Sequence, residues 1–202
     1  MRKKSTLLKY LFLICLVPSI TFAQISSKQI DSLVTDALLK FKVAGAAVAV
    51  VKDGKVIHSK GYGLVDINSK QAVNENTNFQ IASNTKAFTT TALAILEEEG
   101  KLKWTDKVID HISEFKMYND YVTENFNVLD LLTHRSGLGL GVGDLMFFPD
   151  GTDFTIQDVV SCFQYFKPVS AFRTQFDYDN LLYMVAGEVI ARASGMSYEL
   201  FV

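Results

Sequence analysis

Ile30, Leu33, Val34, Ala37, Leu38 and Phe41 recur at the spacing of one helical face, so the segment after residue 24 opens with an amphipathic helix. The pattern then shortens. Residues 46–51 and 56–62 are apolar runs that predict two strands, joined through Asp53-Gly54, a strong hairpin-turn signal. Phe79 and Ile81 alternate up to Ser83, after which Ala87, Phe88, Ala92, Leu93, Ile95 and Leu96 predict a buried helix. It runs to Glu97-Glu98-Glu99 and stops at Gly100. Residues 101–150 read as irregular, with short helical pieces. Thr155-Ile156-Gln157-Asp158 is a capping-box-like start for a helix reaching about Phe166. Another helix spans 181–193 and is closed by Gly195, with Tyr178 and Asn180 at its entrance, and a further one begins near Ser197.

Residues 1–23 follow different rules. Arg2, Lys3 and Lys4 form a charged start, 11–17 an apolar middle, and Thr21-Phe22-Ala23 a small-residue cleavage site before Gln24, which together predict a secretory signal peptide. The apolar run is short for a membrane span, with Lys9 before it and Pro18 at its end. Ile14 precedes Cys15 where lipid attachment would need a small residue, so lipidation is not expected. The expected organisation is a signal over 1–23 and one incomplete domain over 24–202, secreted or periplasmic, with no stable membrane anchor after cleavage. Of 20 basic and 22 acidic residues, four basic ones (Arg2, Lys3, Lys4, Lys9) fall in the signal, leaving 16 against 22 and a net charge of −6. That balance argues against nucleic acid or an anionic membrane surface as partner. Cys162 is then the sole cysteine, and Val159, Val160 and Phe163 around it point to a buried, inert thiol.

The chemistry concentrates at Ser83 and Lys86. Three residues apart at the start of a helix, they share one face, and the lysine amine can receive the serine proton. Free N–H groups and the helix dipole there favour developing negative charge. A second Ser-x-x-Lys, Ser113 to Lys116, lies among His111, Glu114, Asn119 and Asp120 with no buried helix behind it, and reads as a solvated face. Tyr178-Asp179-Asn180 adds a further proton-transfer group.

With these residues the chain resembles the serine β-lactamase and penicillin-binding-protein superfamily, in particular its class C-like branch. Phe79 to Phe88 matches the Ser-x-x-Lys motif. Leu131-Leu132-Thr133-His134-Arg135-Ser136-Gly137-Leu138 matches the Leu-Leu-Thr-His-x-Ser-Gly-Leu stretch, and Tyr178-Asp179-Asn180 the Tyr-x-Asn motif. The three occur in family order and extend over roughly 30–202. The resemblance implies an α+β fold of the β-lactamase/transpeptidase type, an antiparallel sheet flanked by helices beside an all-helical lobe. It implies Ser83 as the acylated nucleophile, its N–H as an oxyanion donor, and Lys86 and Tyr178 as proton-transfer groups. Asn180 would orient Lys86 and the substrate amide. Which of Lys86 and Tyr178 takes the first proton stays open. Substrates would be β-lactams, D-amino-acid peptides or esters, with no cofactor and no metal.

The family's third motif, Lys/His-Thr/Ser-Gly on a core strand, does not occur after Asn180. The chain therefore reads as the front part of a longer protein, with further sheet strands beyond Val202, and as inactive by itself. The alternative is a non-catalytic peptidoglycan-binding or interaction module. Retention of serine, lysine, tyrosine and asparagine together favours the hydrolase. Other chemistries fit less well. His58, His111 and His134 lack metal-ligand spacing, and His58 and His134 read as hydrogen-bonded structural residues. Gly137, Gly139, Gly141 and Gly143 alternate without forming a dinucleotide fingerprint and read as a flexible loop. No Gly-x-Ser-x-Gly elbow is present. Tyr62, Tyr165, Tyr183 and Tyr198 read as packing.

Overall fold

A computed structural model describes residues 25–148 and 153–202; the signal expected over 1–23 lies outside them. The chain divides into two compact units, one ending at Phe79 and the other spanning Gln80–Val202.

In the first unit, helix α1 (Ser27–Phe41) starts at a capping box in which Ser26 and Gln29 satisfy each other's backbone N–H groups. It ends at Lys42 in the left-handed region. Strands β1 (Gly45–Lys52) and β2 (Lys55–Gly63) pair antiparallel, and Lys52 faces Lys55 across the turn. Asp53 at φ 49° and Gly54 at φ 71° both take positive φ, the turn geometry whose twist suits a two-residue hairpin. Among the described residues these are the only two strands of the sheet.

Polar bonds join α1 to β2. Tyr62 O–H donates to Asp31 at 2.7 Å, so its oxygen is left to accept from His58 Nε2 at 2.7 Å, and His58 Nδ1 meets Ser27 Oγ at 2.8 Å. Burial and the Asp31 carboxylate push the Tyr62 hydroxyl up to about 12. His58 thus has the hydrogen-bonded structural place read from the sequence. The apolar face of α1 is narrower than its periodicity predicts. Ile30 is buried and Val34 and Leu38 are half-buried, but Leu33 and Phe41 are exposed.

The second unit is helical. Helix α2 (Thr85–Glu98) is followed by the short helices α3 (Val108–His111), α4 (Asp120–Asn125) and α5 (Val128–Leu132), then by α6 (Ile156–Cys162), α7 (Leu181–Ser194) and α8 (Tyr198–Phe201). Helix α6 starts at the Thr155–Asp158 capping box but tightens into a 3₁₀ turn over Phe163–Tyr165, short of the expected single helix. Helix α7 is the centre of the lobe. Leu181, Leu182, Val185, Ala186, Val189 and Ile190 are fully buried, and α7 packs against α2, α3, α5, α6 and α8. A helix so apolar has to sit inside its neighbours. Phe115, Phe126 and Phe163 fill the space beside it with tilted ring contacts. Gly195 closes it in the left-handed region, as its position predicts.

Helix α2 departs from expectation in two ways. Its buried side is only the stripe Thr89, Ala92, Leu93 and Leu96, while Phe88 and Ile95 are exposed. Ser83 also lies before the helix, in a 3₁₀ turn over Ala82–Asn84, because Ala82 takes φ 45° and the chain enters through a left-handed residue. Such a φ is uncommon for alanine.

Candidate active site

Ser83 in the 3₁₀ turn and Lys86 in the first turn of α2 stand three residues apart on one face, with Nζ donating to Oγ at 3.4 Å. Tyr178 reaches the same oxygen from the loop before α7, its O–H donating at 2.6 Å. Lys86 Nζ donates to Asn180 Oδ1 at 2.7 Å and lies over the rings of Tyr178 (4.7 Å) and Tyr183 (5.1 Å). The four residues singled out in the sequence are thus brought together. Ser83 is exposed, and the other three are half-buried. A cleft of about 710 Å³ opens beside them, lined in part by Ser83, Lys86, Phe147, Asn180, Met184 and Tyr198.

The loop carrying Tyr178 is held by the 131–138 stretch. Asp177 N–H donates to His134 O at 2.9 Å, Asp179 N–H donates to His134 Nδ1 at 3.1 Å, and Tyr183 O–H donates to Leu132 O at 3.1 Å. The His134 ring stacks on Tyr178 with centroids 4.5 Å apart. Burial, reinforced by the Lys86 charge, holds the His134 pKa below its ordinary value. Because Nδ1 accepts, the ring proton is assigned to Nε2. Below this stretch, Arg173 grips the buried Asp130 carboxylate through Nε (2.9 Å) and Nη2 (2.6 Å).

Burial alone would push the Tyr178 hydroxyl up. The Lys86 ammonium and the Ser83 hydroxyl outweigh it and hold the pKa below the ordinary 10.0. A phenol moved toward neutrality is better matched to proton transfer. Cys162 is the opposite case, since burial and the Asp179 charge push its thiol up to about 12, and it stays an inert core group. Ser113 is exposed and donates only to its neighbour Glu114, at 3.3 Å. Among the described residues, no group of three or more His, Cys, Asp or Glu side chains is placed to hold a metal ion.

Two features of the site lie outside the sequence motifs. Tyr183 reads as packing from the sequence, yet its ring lies beneath Lys86; its place three residues after Asn180, on the same helical face, is the signal for it. Asp144 belongs to no motif, although Asn180 Nδ2 donates to its Oδ1 at 3.1 Å.

Asp179 is fully buried between Tyr178 and Asn180. Desolvation raises its pKa from 3.8 to about 7, against the helping N–H groups of Leu182 and Leu181. The unfolded chain ionises this carboxyl near its ordinary value, whereas the folded protein keeps the proton until about pH 7. The stability it contributes is therefore complete at low pH and is lost as pH rises toward the folded pKa. Asp179→Asn should flatten this dependence. Between about pH 4 and 7, the variant's stability relative to wild type should rise by on the order of 4 kcal/mol, read from denaturant melts across that range.

A model of the Beta-lactamase family matches residues 30–202. Protein flp of Staphylococcus aureus is 32% identical over 181 residues, covering 88% of this chain and 35% of that protein. The chain thus spans about a third of the length of the curated relatives it matches. Among solved structures, the octameric penicillin-binding protein homologue from Pyrococcus abyssi superposes with a TM-score of 0.75 at 26% identity, covering 88% of this chain and 41% of that one. A class C beta-lactamase superposes with a TM-score of 0.70 at 29% identity, covering 88% and 47%.

Proposed function

Because this chain belongs to the Beta-lactamase family, we propose that the protein is an exported serine hydrolase that works through an acyl-enzyme on Ser83. The observation that carries this reading is the convergence of Tyr178 and Lys86 on one serine oxygen, at 2.6 Å and 3.4 Å. Tyr178 is the nearer group, and the Lys86 ammonium and the Ser83 hydroxyl hold its pKa below the ordinary value, so it is the base in this reading. In its ionised form it takes the Ser83 proton as Oγ bonds to the substrate carbonyl carbon and the carbonyl π electrons move to oxygen. The Ser83 N–H and the Lys86 ammonium favour the charge that builds there. When the tetrahedral species collapses, the bond to the leaving nitrogen or alkoxide breaks, and Tyr178 returns the proton to that atom. Water then attacks the acyl carbon, losing its proton to Tyr178, and the Ser83 oxygen leaves and is reprotonated.

Substrates in this reading are small acyl donors: a β-lactam, a D-amino-acid peptide or an ester. The signal read over 1–23 supports a reaction outside the cytoplasm. The test is pre-steady-state. The purified full-length protein mixed with a p-nitrophenyl ester or a chromogenic β-lactam should release a burst of about one product per molecule, followed by slower turnover, the signature of an accumulating acyl-enzyme. Absence of both burst and turnover across ester, β-lactam and D-alanyl peptide would count against hydrolysis and favour a binding role.

A further inference from the structure

We propose that Asp144 is a positioning residue that fixes the Asn180 amide and, through it, Lys86 for acylation of Ser83; the inference rests on the serine-hydrolase reading above. It comes from the glycine-alternating loop, which the sequence suggests is flexible. The loop is instead tied to the site. Gly141 N–H donates to Tyr178 O at 2.9 Å, and Met146 N–H donates to Gly143 O at 2.8 Å, closing the 3₁₀ turn over Asp144–Met146. Gly143 takes φ 74°, and a Cβ there would lie 2.2 Å from Leu181 Cδ1. Glycine alone lets this turn settle on the first residue of α7. The Asp144 carboxylate is thereby delivered to the Asn180 side chain one residue earlier.

A primary amide has a donor end and an acceptor end, whereas a carboxylate only accepts and an ammonium only donates. With Asp144 Oδ1 on one side at 3.1 Å and Lys86 Nζ on the other at 2.7 Å, Asn180 has one favourable orientation. Flipping the amide would replace two hydrogen bonds with a donor–donor and an acceptor–acceptor contact. Asp144 thus makes Asn180 an acceptor toward Lys86. That holds the ammonium between Asn180 Oδ1, Ser83 Oγ and the two tyrosine rings. Asp144 is bonded to Asn180, and its charge also opposes the lowering of the Tyr178 pKa.

Two readouts test this on the full protein. The first is the acylation rate at saturating ester, alongside thermal melting. Asp144→Ala should lower that rate by about tenfold or more, with the half-saturating concentration changed less than about threefold. Asp144→Asn, which keeps an acceptor oxygen at the same place, should stay within about threefold of wild type. Asn180→Asp sets two carboxylates face to face and should acylate slowly. Adding Asp144→Asn to it restores a donor–acceptor pair and should recover at least about tenfold of the loss. A structural role would give losses that follow melting temperature, with no recovery in the double variant. Equal rates for Asp144→Ala and wild type, or a double variant no faster than Asn180→Asp, would overturn the proposal. The second readout does not need activity. The Asn180 side-chain amide ¹⁵N–¹H signals, assigned by their loss in Asn180→Asp, should shift and exchange faster with water in Asp144→Ala. Unmoved signals would overturn the proposal even in an active protein. A wild type that never acylates would instead overturn the hydrolase reading, while the amide signals still decide whether Asp144 holds Asn180.

Discussion

Ser83→Ala is expected to abolish the burst and to lower turnover by about 10⁴-fold or more, the largest loss of any single substitution in this site. The substitution removes the hydroxyl on which both Tyr178 and Lys86 converge. It leaves the scaffold intact, because Ser83 is exposed in a turn whose backbone bonds, Asn84 N–H to Ile81 O at 3.1 Å among them, do not use its side chain. Melting temperature should stay close to wild type, which separates lost chemistry from lost fold. Ser113→Ala is the matched control. That hydroxyl belongs to the other Ser-x-x-Lys but is bonded only to its neighbour Glu114, and its removal should leave turnover unchanged.

Lys86→Ala and Tyr178→Phe should each slow acylation by about 10²–10⁴-fold, the range for a positioned proton-transfer group. Tyr178→Phe is the cleaner experiment. The ring stacks on His134, so phenylalanine should keep its place while losing the hydroxyl that meets Ser83. The pH profile adds a second criterion. With Lys86 and Ser83 holding the Tyr178 pKa below 10.0, the wild-type rate should climb as the phenol ionises, on the acid side of an ordinary tyrosine. That limb should be missing in Tyr178→Phe. The double variant should lose less than the product of the two single losses, since both groups act on one hydroxyl. Unchanged kinetics in Tyr178→Phe would leave the tyrosine as a packing residue.

What the sequence made legible follows the range of the forces involved. Features set by neighbouring residues were read closely: the Asp53-Gly54 turn, the Thr155–Asp158 cap and the Gly195 stop, each needing only local backbone geometry. Ser83, Lys86, Tyr178 and Asn180 were legible as short motifs, although nothing local shows that residues 95 positions apart would meet at 2.6 Å. Faces were harder. Phe88 and Ile95 on α2, and Leu33 and Phe41 on α1, continue a helical apolar pattern yet stand exposed, because periodicity marks a face without saying how wide a stripe is covered. Asp144 was hidden for a similar reason. Alternating glycines signal freedom of the chain, and only the close approach of Gly143 to Leu181 turns that freedom into a fixed carboxylate. The 3₁₀ entry through Ala82 was also unreadable, since a positive φ at alanine is imposed by its surroundings.

The central claim, that Ser83 carries the acyl group, is tested most directly by trapping the adduct and locating it. The full protein should be treated with a fluorophosphonate or a slowly hydrolysed β-lactam, digested with trypsin and sequenced by tandem mass spectrometry. Cleavage after Lys70 and Lys86 releases a peptide spanning 71–86 in which Ser83 is the only serine. One adduct on Ser83 of that peptide, absent from Ser83→Ala, is the predicted result. An adduct on Ser113 or Ser136, with Ser83 unmodified in a protein that turns over substrate, would contradict it.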